Sequence, residues 1–141
     1  MTAGAGAPGA PLSILVVIPS PPQRLLAIAA LRAALEPRGH KVVAAEADSA
    51  FEALWLVARG RPAFALVALD LPFLSGDELV ALLRAHPEHG ALPVVAVAPA
   101  SDAAAAERAA AAGAAALLRT PFDPPAVAAA LAAAGIPGSV P

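Results

Sequence analysis

A short apolar run at Phe64–Leu69, followed at once by Asp70, constrains the fold of this chain more than any other feature. An uninterrupted apolar run bounded by turn residues is typical of a strand buried on both faces, as in a parallel sheet. Ser75 and Glu78 follow this loop in the spacing of a capping box, which begins a helix. In open α/β sheets the functional groups collect where strands end and such loops begin. The residues at the strand ends are therefore the first place to look for function.

The same strand, loop and helix pattern is repeated along the chain. Apolar runs predict strands at residues 13–18, 41–46, 64–69, 93–97 and 114–118. N-cap and stop signals predict helices at residues 21–37, 50–59, 76–86, 101–112 and 124–133. Alternating strands and helices of this size indicate an α/β fold with a doubly wound, five-stranded parallel sheet in a three-layer sandwich. The flavodoxin-like strand order 2-1-3-4-5 is the common solution for this count.

Composition excludes several classes of function. The chain has no cysteine, which removes disulfides, thiol catalysis and thiolate metal sites. Its nine Lys and Arg residues are scattered and its formal net charge is −2, so neither nucleic acid nor an anionic membrane is an expected partner. His86 and His89 have a metal-like spacing, but no third ligand accompanies them, and no metal site or cofactor is predicted.

The ends of the chain differ in composition from its middle. Residues 1–11 consist almost entirely of Gly, Ala and Pro, so we expect a disordered tail. Residues 12–134 form the predicted domain, and residues 135–141 are a C-terminal tail or linker. The start of the chain lacks the features of a secretion signal, and no apolar run reaches about 18 residues without charge or proline. We therefore expect a soluble, cytoplasmic protein.

Several short segments, taken in their order and spacing, resemble the receiver domain of bacterial response regulators. These segments are Ile14–Val17, Gly60–Pro62, Pro72–Gly76, Leu92–Val95, Ala111–Ala114 and Thr120–Asp123. The resemblance covers about residues 12–134. It implies the flavodoxin-like fold and a role in two-component signal transduction, in which a phosphoryl group is transferred onto an aspartate with the help of Mg²⁺.

The chain departs from the family's pattern at every position of that phosphorylation site. The resemblance implies an acidic pair at residues occupied by Ile18 and Pro19, an acceptor aspartate at Ala68, a hydroxyl at Ala98 and a lysine at Thr120. Mg²⁺ prefers hard oxygen ligands in an octahedral shell, and the apolar residues supply none from their side chains. The sequence therefore resembles a degenerate receiver, or pseudo-receiver, with no catalytic residue.

Two charged residues near these positions have alternative interpretations. Asp70 lies two residues beyond the acceptor position and is either an exposed loop carboxylate or a substitute phosphate acceptor. Arg119 stands beside Thr120, where strand alternation turns it away from that side chain, so it is either a surface or salt-bridged arginine or an anion-binding group. The resemblance also implies a cis peptide bond between Thr120 and Pro121.

Two surfaces are candidates for binding a protein partner. Phe51 and Trp55 are spaced i, i+4 on the second helix, outside its predicted core positions, and aromatic residues are enriched in binding hot spots. They bind a partner, or they pack over the helix edge or against the chain's own tails. The face formed by residues 102–118 is rich in alanine, includes Glu107 and Arg108, and predicts a homodimer, although alanine also simply favours helix.

The leading hypothesis is a non-enzymatic signalling or scaffold module that binds protein without being phosphorylated. An apolar pocket at the strand ends, formed by Ile18, Pro19, Ala68 and Ala98, would hold the neighbouring loops in one state. Two alternatives remain. One is a receiver that accepts phosphate on Asp70, and the other is a sensor that binds a small molecule in the strand-end pocket.

Overall fold

A computed structural model describes residues 11–136, in which strands and helices alternate along the chain. The strands are β1 (Pro11–Val17), β2 (Lys41–Ala47), β3 (Phe64–Ala68), β4 (Val94–Pro99) and β5 (Ala116–Thr120). The α-helices are α1 (Pro21–Leu35), α2 (Ala50–Gly60), α3 (Gly76–Ala85), α4 (Ala105–Ala112) and α5 (Pro124–Ala133). A 3₁₀ turn, Glu36–Arg38, follows α1.

The five strands form one parallel sheet in the order β2-β1-β3-β4-β5, as the sequence predicts. Successive side chains of a strand point to opposite faces, and both faces of this sheet are covered. Residues of α1 and α5 pack with one face around Ile14, Val16 and Leu66. Residues of α2 and α3 pack with the other face around Leu15 and Val17, and α4 adds a smaller cluster beside them. The result is the predicted three-layer sandwich, in which the carboxyl ends of all strands lie at one edge.

Local signals explain most helix starts. Ser20, Ser49 and Ser75 each accept a hydrogen bond from the backbone N–H three residues later, which satisfies a donor that the first turn leaves free. At Ser75 the Glu78 carboxylate in turn accepts a hydrogen bond from the Ser75 backbone N–H, so the predicted capping box is complete. α3 is thereby fixed directly after the loop that carries Asp70.

The region around α4 differs from the prediction. α4 begins at Ala105 rather than near Ser101, because Asp102 accepts a hydrogen bond from the Ala104 backbone at 3.0 Å and holds a turn there. β5 begins at Ala116, two residues later than predicted. Gly113 adopts a positive φ of 98° and ends α4, so the residues directly after it form the connection.

The domain is slightly longer at both ends than predicted. Pro11, assigned to the tail from the sequence, is the first residue of β1. Ile136, assigned to the C-terminal tail, is buried in the core beside Leu131. The remaining predictions for the two tails fall on residues 1–10 and 137–141, outside the described residues. No helix in the described range is long and apolar enough to cross a membrane.

Candidate functional site

The strand-end positions singled out from the sequence come together at the carboxyl edge of the sheet. A cleft of about 190 Å³ is lined by Pro19, Ala68, Asp70, Ala98 and Thr120, together with Gln23, Val97 and Pro99. Ile18, expected to line the pocket, is instead buried in the core. The cleft walls are therefore largely apolar, with a carboxylate, an amide and a hydroxyl among them.

Arg108 in α4 lies beside this cleft and contacts three aspartates, which belong to the loop after β3, the first turn of α3 and the loop after β4. Its guanidinium is 3.2 Å from the Asp70 carboxylate, 3.0 Å from Asp77 and 3.3 Å from Asp102. It also donates a hydrogen bond of 3.2 Å to the backbone carbonyl of Leu69. The Arg108 side chain is 29% exposed and that of Asp70 is 69% exposed, so Asp70 forms the solvent side of the cluster. One cation thus joins the loops after β3 and β4 to α4.

These contacts change the acidity of the groups involved. The hydrogen bond from Arg108 lowers the pKa of the Asp77 carboxyl, against the opposing effect of burial. The same hydrogen bond, and the one that Arg108 donates to Asp70, raise the pKa of Arg108 above its already high value. The charged forms of Arg108 and Asp77 therefore favour each other in the folded protein.

A second arginine holds the loop after β1. Arg24, in the first turns of α1, donates a hydrogen bond of 2.6 Å to the backbone carbonyl of Ile18 and one of 3.0 Å to the Glu46 carboxylate. Its side chain is largely buried. Arg24 therefore fixes the chain at Ile18, where the resemblance implies an acidic residue.

A third arginine holds the loop after β4. Arg119 in β5 donates hydrogen bonds to the backbone carbonyl of Pro99 at 3.3 Å and of Asp102 at 2.9 Å. It is half-buried, and it donates to backbone oxygens rather than to a carboxylate. The peptide bond between Thr120 and Pro121, which follows directly, is cis, as the resemblance implies.

The residues at the cleft do not fit the Mg²⁺ ion that the family resemblance implies. The side chains of Pro19 and Ala68 offer no oxygen, and the Asp70 carboxylate is paired with the Arg108 guanidinium. Within the described range, no group of three or more acidic, histidine or cysteine side chains is arranged to hold a metal ion. His86 and His89 do not form part of such a group, and their rings stack with 4.5 Å between the ring centroids.

A wider groove continues from the cleft towards α1 and α5. Its volume is about 610 Å³, and it shares Gln23, Pro99 and Thr120 with the cleft. The other residues that line it are Leu26, Ala100, Ser101, Pro121 and Phe122. None of these side chains is charged, so the groove suits an uncharged, largely apolar group.

The predicted interaction residues occupy separate surfaces. Phe51 and Trp55 are 62% and 58% exposed on α2. Glu107 is exposed on α4, whereas its neighbour Arg108 is engaged with the aspartates. Phe73 was not singled out from the sequence, yet it is 93% exposed and has a positive φ of 68° in the loop between β3 and α3. Such a conformation is unfavourable for a non-glycine residue and is common at functional sites.

Sequence reasoning missed the arginine contacts. A backbone carbonyl acceptor leaves no trace in the sequence, so the contact between Arg24 and Ile18 has no local signal. For Arg108 a partial signal existed, because Asp102 lies six residues earlier in the same segment. Asp70 and Asp77 reach it only through the fold.

A family model and several solved structures match this chain. Residues 24–132 match the family of the response regulator receiver domain. A response regulator from Chloroflexus aurantiacus is 26% identical with a TM-score of 0.76, over 89% of this chain and 98% of that one. A two-component response regulator of the LuxR family from Aurantimonas is 27% identical with a TM-score of 0.71, over 89% and 86%.

A third structure has the same fold at lower identity. The receiver domain of a sensor histidine kinase from Pseudomonas aeruginosa, which has a magnesium ion in its active-site cleft, is 23% identical with a TM-score of 0.72, over 89% of this chain and 99% of that one. The search of curated proteins found no match.

Proposed function

This chain belongs to the response regulator receiver family, and we propose that it acts in signalling as a protein-binding module that requires no phosphorylation. One observation carries the proposal. The acceptor position is Ala68, and the nearby aspartates Asp70, Asp77 and Asp102 all contact the guanidinium of Arg108. Phosphoryl transfer needs an acceptor oxygen and cations that neutralise the phosphoryl charge. Here Arg108, the cation of the cluster, already neutralises these three carboxylates, so it is not available to neutralise a phosphoryl group.

The arginine contacts support a single, fixed arrangement of the strand-end loops. Arg24 holds the loop after β1, Arg108 the loop after β3, and Arg119 the loop after β4, each through a backbone carbonyl. Hydrogen bonds to charged donors are stronger than neutral ones. We therefore expect the surface around the cleft to be presented to a protein partner in one conformation, without a covalent switch and without a catalytic step.

Intact-mass measurement tests this proposal. The full chain is incubated with acetyl phosphate and Mg²⁺, beside a phosphorylatable receiver domain as the positive control and an Asp70→Asn variant. We expect the control to gain one phosphoryl group and this chain to keep its mass. A gain of one phosphoryl group by the wild type that Asp70→Asn abolishes would overturn the proposal and establish Asp70 as the acceptor. Nucleic acid and membranes are not among the proposed partners.

The alternative in which Asp70 accepts phosphate has one supporting observation. Asp70 lines the cleft and its carboxylate is largely exposed, so a phosphodonor can reach it. Against it, the Arg108 guanidinium lies 3.2 Å from the carboxylate and already occupies one of its oxygens.

A role in sensing a small molecule is a second candidate, supported by the uncharged groove that continues from the cleft. Its volume of about 610 Å³ lies within the usual range for ligand pockets of roughly 300–1,000 Å³. Native mass spectrometry of the purified protein tests it. A co-purifying neutral compound, displaced in a Leu26→Glu variant, would support a sensor, and a ligand-free spectrum would argue against it.

A further inference from the structure

The outer face of α2 carries two large aromatic side chains in a single stripe. Phe51 and Trp55 lie one helical turn apart and are each more than half exposed, and Arg59 continues the stripe by another turn. The Arg59 guanidinium lies over the Trp55 ring, 4.3 Å from its centroid. The opposite face of the helix, at Ala53 and Val57, packs into the core. An exposed pair of this kind marks a contact surface.

The charged residues at the two ends of α2 have opposite signs. Asp48 and Glu52 lie at the start of α2, and Arg59 and Arg61 lie at its end, all of them exposed. The Glu52 carboxylate accepts one hydrogen bond, from the Asp48 backbone at 3.0 Å, and has capacity for more. Acidic residues at a helix start and basic residues at its end also suit the helix dipole. Because the two ends are opposite in charge, the face is complementary to a copy of itself turned end for end.

We propose that the α2 face, defined by Phe51, Glu52, Trp55 and Arg59, binds the same face of a second copy of this chain. The two helices run antiparallel about a twofold axis at Trp55, as the commonest form of protein dimer requires. Glu52 lies three positions before the axis and Arg59 four positions after it, so each Glu52 meets the Arg59 of the second copy. The aromatic side chains of both copies are buried between the two helices.

This inference deepens the proposed function by naming the partner, and it rests on that proposal only in assigning the chain a protein-binding role. It also concerns a different surface from the face at residues 102–118, where the sequence predicts a homodimer. An 11-residue helix is about 16 Å long, so its face provides less than the roughly 800 Å² per partner of a standard interface. We therefore expect a weak, reversible dimer.

Sedimentation velocity of the full chain from about 5 to 500 μM, at low ionic strength, measures this dimer. We expect the average mass to rise from that of a monomer towards that of a dimer. Trp55 is the only tryptophan, so the blue shift of its emission over the same range reports burial of the α2 face itself. A monomer throughout, or a mass increase without a change in Trp55 emission, would overturn the inference.

Charge reversal gives the sharper test. Glu52→Lys and Arg59→Glu each place like charges opposite each other in a homodimer, and each should weaken dimerisation by about tenfold or more. When the two variants are mixed, every pair is again of opposite sign, so a heterodimer should form. Failure of the mixture to associate would contradict the antiparallel arrangement.

Two further variants complete the design. Phe51→Ala makes no change to a charge or a hydrogen bond and should also weaken the dimer, which separates the contact from the N-terminal capping role of Glu52. Glu107→Lys on α4 is the matched charge control and should leave the dimer unchanged. If Glu107→Lys abolishes association while the α2 variants retain it, the contact lies on the other face. No phosphodonor is used, so a negative result leaves the mass experiment on phosphorylation unaffected.

Discussion

Gly76, the first residue of α3, lies against the end of β3 so closely that no side chain fits there. A Cβ atom at this position would lie 1.9 Å from the backbone oxygen of Ala68 and 2.8 Å from the Cα of Leu69. Real Cβ atoms essentially never approach closer than 3.0 Å, so in Gly76→Ala the helix start or the strand end must move by more than about 1 Å. Both neighbours are backbone atoms, which cannot move aside by changing a rotamer.

The cost of this movement follows from what it disrupts. The Gly76 N–H donates a hydrogen bond of 2.8 Å to the Leu69 carbonyl, and the capping box of Ser75 and Glu78 sits one residue before it. Overpacking of this kind typically costs about 1–3 kcal/mol, and loss of an N-cap costs about 1 kcal/mol. We therefore expect Gly76→Ala to lower the free energy of unfolding by about 2–4 kcal/mol, out of a typical total of about 5–15 kcal/mol.

Urea unfolding followed by circular dichroism measures this effect, with Gly60→Ala as the matched control. Gly60 is the last residue of α2, and a Cβ there would have no atom within 4 Å. Alanine also has a better helix propensity, so the control should gain up to about 1 kcal/mol. If the free energy of unfolding of Gly76→Ala lies within about 0.5 kcal/mol of the wild-type value, the close contact between α3 and β3 is not a feature of the protein in solution.

Two other predictions concern the loops at the strand ends. Phe73→Gly should raise the free energy of unfolding, measured by urea titration, by about 1 kcal/mol. The positive φ at this position suits glycine, and the exposed Phe73 side chain makes little packing contact. A loss of stability would contradict this. The folded state lowers the pKa of Asp77, so its contribution is present above its unfolded pKa and is lost as the pH falls through the lowered value. Arg108→Met should therefore destabilise the protein at pH 7, and the difference from wild type should shrink below about pH 4; a constant difference between pH 7 and pH 2 would refute the assignment.

The order and type of the elements could be predicted because their signals are local. The apolar run at Phe64–Leu69 and the N-caps Ser20, Ser49 and Ser75 each act within a few residues. The start of β5 could not be placed, because the alanines at 114–116 continue the alanine-rich run of α4 and carry no strand signal of their own. Pairing with β4 sets the boundary: Ala115 donates a hydrogen bond to the Val94 carbonyl, and Ala116 is the first residue paired in register.

Part of the cleft lining could be predicted, whereas the pairing of its charged groups could not. The resemblance placed Ala68 and Ala98 in a pocket at the strand ends, and both line the cleft, whereas Ile18, expected there too, is buried in the core. The pairing of Asp70 with Arg108 joins residues 38 positions apart in the sequence. It depends on how α4 packs beside α3 and β5, which no local pattern encodes.

The arginines at the strand ends hold main-chain oxygens, and every amino acid carries the same one. The side chains of Ile18 and Leu69 are buried, but the oxygens that they offer to Arg24 and Arg108 belong to the main chain, and substituting the exposed Pro99 likewise leaves the acceptor for Arg119 in place. The shape of these loops is thus uncoupled from the identity of the residues that they display. Exposed residues at the cleft rim can therefore change by mutation while the arginines keep the loops in the same shape. The cleft rim is a suitable place for grafting new binding residues.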